Sequence, residues 1–275
     1  MNREIQIAGK RIFYRVYGQG KPTMLLHGFG ETGEVWSNQV DFLKNDFKLI
    51  VPDLPGTGQS ELVDDMSMTG MAGVIKAIFD AEKEMAHDPQ SNAILVGHSM
   101  GGYIALAYVK KYSASLRGFG LFHSSAFPDN EEKKETRKKG IEFVRKHGPF
   151  EFLKTSTPNL FSPTSKAEKS ELIDVFIRGL HNFSGPALVS YYEAMMERPD
   201  TTDLLKSTRL PVLFVIGKYD NAVPMQDMLK QAYLPEKSYI HMLHQSGHMG
   251  MLEEPDASNH ILKKFIHEIR TALIR

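Results

Sequence analysis

A serine hydroxyl is a poor nucleophile near neutral pH. It attacks a carbonyl only when an imidazole takes its proton and a carboxylate orients that imidazole. This sequence offers all three groups in suitable settings. Ser99 lies in G-H-S-M-G at 97–101, a match to G-x-S-x-G. Such a serine sits on a sharp strand-to-helix turn, and its neighbours are small because strand and helix nearly touch. The run A-I-L-V at 93–96 predicts a strand buried on both faces, and Y-I-A-L-A-Y-V at 103–109 predicts a packed, small-residue helix. The helix N-terminus then points its free N–H groups and positive dipole end at the serine, where an oxyanion would form.

The base and its orienting acid have candidates on two later loops. Asp220 lies in G-K-Y-D-N-A-V-P at 217–224, directly after the apolar run at 211–216, and His248 lies in Q-S-G-H-M at 245–249, after a predicted strand at 238–243. In an open parallel sheet the loops at the carboxyl ends of the strands share one edge, so Ser99, Asp220 and His248 can converge there. The order Ser, Asp, His along the chain suits that type of sheet. Two backbone N–H groups are candidates for the oxyanion site. One is that of Met100, next after the serine; the other is that of Phe29, in the H-G-F-G loop at 27–30 that follows a short strand at 23–26. Losing one such donor costs roughly 2.7–4 kcal/mol of transition-state stabilisation.

The rest of the chain must hold those loops in place. Residues 4–7 and 11–17 flank A-G-K and predict a starting hairpin; 49–51 and 119–122 predict further strands, and 35–47 and 71–85 predict helices. Strand and helix alternate, as in a parallel sheet covered on both faces. From about 127 to 207 no strand is evident, and 131–146, 165–180 and 187–197 predict helices. The alternation then resumes with a strand at 211–216, a helix at 224–233, the strand at 238–243 and a closing helix at 256–274. The expected division is a core at 1–126 and 208–275 with a helical cap at 127–207.

Composition excludes several classes of function. The chain has 275 residues, with 33 basic and 33 acidic side chains, so no net field favours nucleic acid or an anionic membrane. Cysteine is absent, which removes disulfides, thiolate catalysis and cysteine-bound zinc. No run approaches 18 apolar residues, and the N-terminus has no apolar signal region, so a cytoplasmic protein without stable membrane association is expected. The mixed-charge run at 131–139 reads as a solvated helix face.

Five motifs in order, H-G-F-G at 27–30, D-L-P-G-T-G-Q-S at 53–60, G-H-S-M-G-G at 97–102, G-K-Y-D-N-A-V-P at 217–224 and S-G-H-M-G-M-L-E-E-P at 246–255, make the chain resemble the α/β-hydrolase superfamily along nearly its whole length. The resemblance is to small serine hydrolases with a helical cap, carboxylesterases among them. It implies an α/β fold with about eight strands, mostly parallel, the second antiparallel, and the cap inserted after strand 6. It also implies an acyl-enzyme mechanism without metal or cofactor: Ser99 attacks, His248 takes its proton and Asp220 sets the imidazole tautomer. Some members carry the acid after the preceding strand, where Asp129 lies here; Asp220 matches the commoner pattern.

The same resemblance makes His27 and His98 hydrogen-bonding supports of the catalytic loops, with Gly28 beside them. Trp36 fits an apolar contact near the oxyanion loop or, more simply, packing on a helix face; Phe127 is read as a residue of the pocket or its support, and Asp53 as a turn residue. His123, His241 and His244 are read as packing or surface residues. The cap segment carries many aromatic residues, Phe152, Tyr191 and Tyr192 among them, and so points to a largely apolar pocket. The expectation is a carboxylic ester hydrolase acting on a small, fairly apolar substrate as a monomer or homodimer. Thioester, lactone, C–C bond or amide cleavage and cofactor-free perhydrolysis stay open on the same triad, and so does a non-catalytic receptor or scaffold of this fold.

Overall fold

The computed structural model describes residues 1–88 and 92–271. Its strands are β1 (Asn2–Ile7), β2 (Lys10–Tyr17), β3 (Pro22–Leu26), β4 (Lys48–Pro52), β5 (Ala93–His98), β6 (Leu116–Phe122), β7 (Val212–Gly217) and β8 (Ser238–Leu243). They form one eight-stranded sheet in the order β1-β2-β4-β3-β5-β6-β7-β8. The hairpin β1–β2 turns through Ala8 and Gly9, both at positive φ, and β2 runs antiparallel to β4. From β4 to β8 every pairing is parallel. The register brings the carboxyl ends level: Leu26 lies opposite Gly97, His98 opposite Phe122, Phe122 opposite Val215, and Gly217 opposite Leu243. Loops leaving β3, β5, β6, β7 and β8 therefore meet along one edge.

The central strands are apolar throughout because both faces are covered. Met24, Leu26, Leu95, Phe119, Phe214 and Ile216 pack in one cluster with residues of α2 (Met68–Met85) and α3 (Met100–Tyr112). Their neighbours Leu25, Ile94, Val96, Leu213 and Val215 pack on the other face with Val40 of α1 (Ser37–Leu43) and with Leu262 and Phe265. Successive residues alternate between the two cores, the period-two signature of a strand that buries both sides.

Between β6 and β7 the chain forms only helices: α4 (Glu131–His147), α5 (Pro149–Ser156), α6 (Pro163–Glu168), α7 (Ser170–Gly179), α8 (Gly185–Glu197) and α9 (Thr202–Ser207). Two details depart from the sequence reading. The helix expected at 165–180 is two, broken at Lys169, whose backbone leaves the helical region at φ −127 and ψ 34. The helices α5 and α9 were not anticipated; at 8 and 6 residues they are too short to show a periodic face. After β7 come α10 (Met225–Ala232), α11 (Gly250–Glu253) and α12 (Pro255–Thr271). The final helix was expected to reach 274, and residues 272–274 lie outside those described. Among the described residues no helix is long and apolar enough to cross a membrane.

Candidate active site

Ser99 joins β5 to α3 with φ 49 and ψ −117, a strained conformation that its surroundings enforce. A Cβ on Gly97 would overlap the backbone of Gly101, so strand and helix can approach only as glycine allows. The Ser99 N–H donates to the Phe122 carbonyl at 2.9 Å, and the Ser124 hydroxyl donates to the Ser99 carbonyl at 2.7 Å. The turn is thus pinned to the end of β6. Although Ser99 occupies the N-cap position of α3, its side chain makes no capping bond, which leaves the hydroxyl to the site.

Asp220 and His248 meet at the same edge. Nδ1 of His248 lies 2.8 Å from Oδ2 of Asp220. A carboxylate only accepts, so the proton is on Nδ1 and the neutral ring keeps its lone pair on Nε2. The other carboxylate oxygen, Oδ1, accepts the N–H groups of Ala222 at 2.9 Å and Val223 at 2.8 Å. Burial alone would raise the Asp220 carboxyl, but His248 and His123 hold it well below the usual carboxylate range. Burial likewise pulls His248 down, and the Asp220 charge and hydrogen bond, helped by Glu31 and Glu253, win and hold it above its ordinary value.

Two further carboxylates, neither singled out from the sequence, complete the buried network. Glu31 accepts the Gly28 N–H at 2.7 Å and faces Nδ1 of His98 at 3.0 Å. The other nitrogen of His98 donates to the His248 carbonyl at 2.9 Å, so His98 ties the H-G-F-G loop to the loop that carries His248. Charge and hydrogen bonds from His98 keep Glu31 below its ordinary value despite full burial. The only hint in the sequence was an acid directly after H-G-F-G.

His27 controls the neighbouring peptide. Its Nδ1 donates to the Gly28 carbonyl at 2.8 Å while Nε2 accepts the Leu54 N–H at 2.9 Å. That pair of contacts selects the neutral Nδ1–H tautomer, in line with burial that lowers its proton affinity. Because C=O and N–H point opposite ways in a trans peptide, holding the Gly28 carbonyl also aims the Phe29 N–H. A side chain at Gly28 would crowd the site, since a Cβ there would lie 2.9 Å from Nδ1 of His98 and 3.1 Å from Cβ of Ser99.

The helical insertion presses on both loops. The Phe29 ring stacks on Tyr192 at 4.3 Å and meets Phe152 and Tyr191 edge-on. The His248 N–H donates to the Leu160 carbonyl at 2.7 Å. Below it, the buried Glu253 carboxylate accepts three backbone N–H groups, from Gly247 at 2.8 Å, Met249 at 3.1 Å and Ser162 at 2.8 Å. The first two share Oε1, whereas Ser162, which caps α6, holds Oε2. In Glu253→Gln the amide oxygen can serve only one side, and the NH2 then faces a backbone donor. Leaving one buried donor unpaired costs roughly 1–3 kcal/mol, so the urea midpoint should fall accordingly. An unchanged midpoint would show that this carboxylate does not tie the insertion to the His248 loop.

The other residues singled out from the sequence lie around these loops. Trp36 is fully buried and packs edge-on against Phe122 at 5.3 Å and His98 at 6.5 Å. Phe127 is held through its backbone, its N–H on the Ser125 hydroxyl and its carbonyl on Arg198. Asp53 accepts from Arg15 and from the N–H groups of Gly33 and Gln59, as a turn anchor does. Asp129 faces away from catalytic use: it pairs with Arg137 and Arg198, and those charges keep its carboxyl below the usual value. His123, read from the sequence as a packing residue, instead points Nδ1 at Asp220 from 3.1 Å. His123, Asp220 and His248 lie close enough to hold a metal ion, and the tautomers in which both Nδ1 atoms donate to the carboxylate use those same atoms for hydrogen bonds. A surface hollow of 510 Å³ bounded by Lys10, Thr57, Glu61 and Asn182, and an apolar one of 350 Å³ bounded by Val35, Leu172, Phe176 and Leu252, are not lined by Ser99.

Comparison with known proteins gives a consistent result. The model of the alpha/beta hydrolase family matches residues 24–260. A 2-hydroxy-6-oxo-6-phenylhexa-2,4-dienoate hydrolase of Comamonas testosteroni is 24% identical, aligned over 94% of this chain and 91% of its own. A pimeloyl-[acyl-carrier protein] methyl ester esterase of Vibrio vulnificus is 27% identical over 92% of this chain and 97% of its own. Among solved structures, a thermophilic esterase from Thermogutta terrifontis superposes with a TM-score of 0.89 at 27% identity, covering 98% of this chain and 99% of that one. With a family model running from within β3 through β8 and covering the loops at the carboxyl ends of those strands, the chain belongs to the alpha/beta hydrolase family.

Proposed function

We propose that this protein is a serine hydrolase that cleaves a small, fairly apolar carboxylic ester through an acyl-enzyme. The observation that carries the reading is the 2.8 Å bond from His248 to Asp220, made on the sheet edge where Ser99 occupies its strained turn. Asp220 fixes the proton on Nδ1, so Nε2 is the base that takes the Ser99 proton as Oγ attacks the carbonyl carbon. The N–H groups of Met100 and Phe29 hold the oxyanion. As the tetrahedral species collapses, Nε2–H protonates the departing alcohol, and the same nitrogen then activates the water that releases the acid.

In this reading residues 127–207 act as a cap over a core of 1–126 and 208–275. The substrate class follows from what the cap brings to the oxyanion loop. Phe152, Tyr191 and Tyr192 surround Phe29, and Arg137 and Arg198 are both engaged by the Asp129 carboxylate. An uncharged, apolar acyl or alcohol group suits those surroundings. The esterases among the similar proteins support ester cleavage. The Comamonas relative supports a second reading, hydrolytic C–C cleavage of a vinylogous diketone on the same triad.

Intact-protein mass after treatment with a fluorophosphonate, beside turnover of p-nitrophenyl esters from acetate to decanoate, separates these readings. A single adduct with ester turnover supports the esterase. An adduct without ester turnover, but with cleavage of a vinylogous diketone, moves the assignment to the C–C hydrolase. No adduct and no turnover would leave a receptor or scaffold. The pH profile supplies a further check. The base must be neutral, and its proton affinity is raised in the folded protein, so activity is lost as pH falls through a value above the ordinary 6.5. An acid limb of kcat/KM centred below 6.5 would contradict the arrangement around His248.

A further inference from the structure

The reaction as written leaves His123 without a part, yet its geometry is specific. It follows β6 directly, holds φ 49, and donates its N–H to the Val215 carbonyl at 2.9 Å. Its Nδ1 lies 3.1 Å from Oδ2 of Asp220, the same oxygen that receives His248. The two rings are 5.8 Å apart and inclined by 62°, so each approaches that oxygen separately. The side chain is fully buried, and Nε2 has no hydrogen-bond partner. Glycines wall off that end: a Cβ on Gly217 would lie 2.7 Å from Cε1, and one on Gly250 would overlap Nε2. A proton on Nε2 would therefore be stranded in an apolar slot, while a proton on Nδ1 meets a carboxylate.

We propose that His123 is a positioning residue that stays neutral with its proton on Nδ1, holds the Asp220 carboxylate in rotation, and moderates the pull of that carboxylate on the His248 proton. The proposal rests on the reading of Asp220 as the orienting acid. With His123 in place, both oxygens of Asp220 each accept two hydrogen bonds. The carboxylate can then neither turn away from His248 nor concentrate its charge on it. The groups around His248 are Asp220 after β7, His123 after β6, His98 at the end of β5, Glu31 after β3 and Glu253 in α11. Of these only His123 lowers the proton affinity of His248 by sharing its acceptor. A base serves best when its proton affinity lies near the working pH, and an undiluted buried carboxylate would make the imidazolium too stable.

The test uses the near-isosteric pair His123→Leu and His123→Asn. Asn keeps an N–H at the place of Nδ1 and tolerates positive φ, whereas Leu removes the donor. In His123→Leu the acid limb of kcat/KM for a p-nitrophenyl ester should move up by about 0.5–1 pH unit, the effect of one ordinary hydrogen bond, with kcat reduced on the order of 10-fold. His123→Asn should restore both towards the wild type. An acid limb in His123→Leu that coincides with the wild type overturns the proposal, because a merely structural role would alter stability and leave the profile in place. Long-range ¹H–¹⁵N spectra of the wild type provide an answer that depends on no variant. The His123 ring should remain the neutral Nδ1–H tautomer from about pH 5 to 9, and an Nε2–H tautomer or a titrating ring overturns the inference. Asp220→Asn distinguishes the two levels of failure: an active variant removes the triad reading and this inference together, whereas an inactive one beside an unmoved His123→Leu profile removes this inference alone.

Discussion

Ser99→Ala should lower kcat for a p-nitrophenyl ester by roughly 10⁴–10⁶-fold and abolish the fluorophosphonate adduct. The magnitude follows from the loss of the only group at the turn that can form the acyl bond; water must then attack without a covalent intermediate. Stability should change little. Alanine keeps the Cβ that already sits at φ 49, and the lost hydroxyl caps no backbone donor of α3. Substrate binding should also persist, because the loop at 27–30, proposed to hold the oxyanion, is fixed by His27, Glu31 and Tyr192 rather than by the serine. The measurements are steady-state kinetics, intact mass and thermal midpoint on the same preparation. Turnover within ten-fold of the wild type, or an adduct that survives the substitution, would place the nucleophile elsewhere.

The Asp220→Asn variant should lose on the order of 10⁴-fold in kcat, as removal of the orienting carboxylate does in serine hydrolases. The reason is tautomeric. Asp220 accepts from two imidazoles on Oδ2 and from two backbone N–H groups on Oδ1. An amide cannot satisfy both sides. If its oxygen remains with Ala222 and Val223, its NH2 faces the rings, and His248 must accept on Nδ1 and carry its proton on Nε2. The lone pair that should take the Ser99 proton is then gone. If the amide turns round, its NH2 meets two backbone donors in a buried site, which costs stability instead. The loss of activity follows from the first orientation; the second keeps the working tautomer but sets the NH2 against two fixed backbone donors, and the thermal midpoint shows which is adopted. Substantial activity in this variant would shift attention from Asp220 to another acid. Asp129 is a poor substitute, since Arg137 and Arg198 already occupy it.

Much of the architecture could be read along the chain because it rests on local or periodic signals. The apolar runs at 93–96 and 211–216 announce strands covered on both faces, and the structure shows their residues alternating between two cores. The absence of strand pattern between 127 and 207 announced a helical insertion. Its finer division did not follow, because α5 and α9 are shorter than the window in which a helical period can be recognised.

The candidate site divides along the same line. Ser99, Asp220 and His248 were legible because each lies in a loop directly after a strand, and parallel strands bring such loops to one edge whatever the side chains between them. G-x-S-x-G carries its own geometry, since glycines are required where Gly97 and Gly101 touch. The supporting groups had no such signal. His123 comes directly after a strand too, but nothing local says that its ring turns towards an acid 97 positions later. Glu31 finds His98 across 67 positions, and Glu253 collects N–H groups from both its own loop and Ser162, 91 positions away. The sequence by itself determined the sharp turn at Ser99, the loops that follow each strand and the class of fold, all of which depend on neighbours in the chain. Only the tertiary structure decided which buried carboxylate meets which imidazole, because burial makes every polar atom find a partner and that partner is chosen by packing in space.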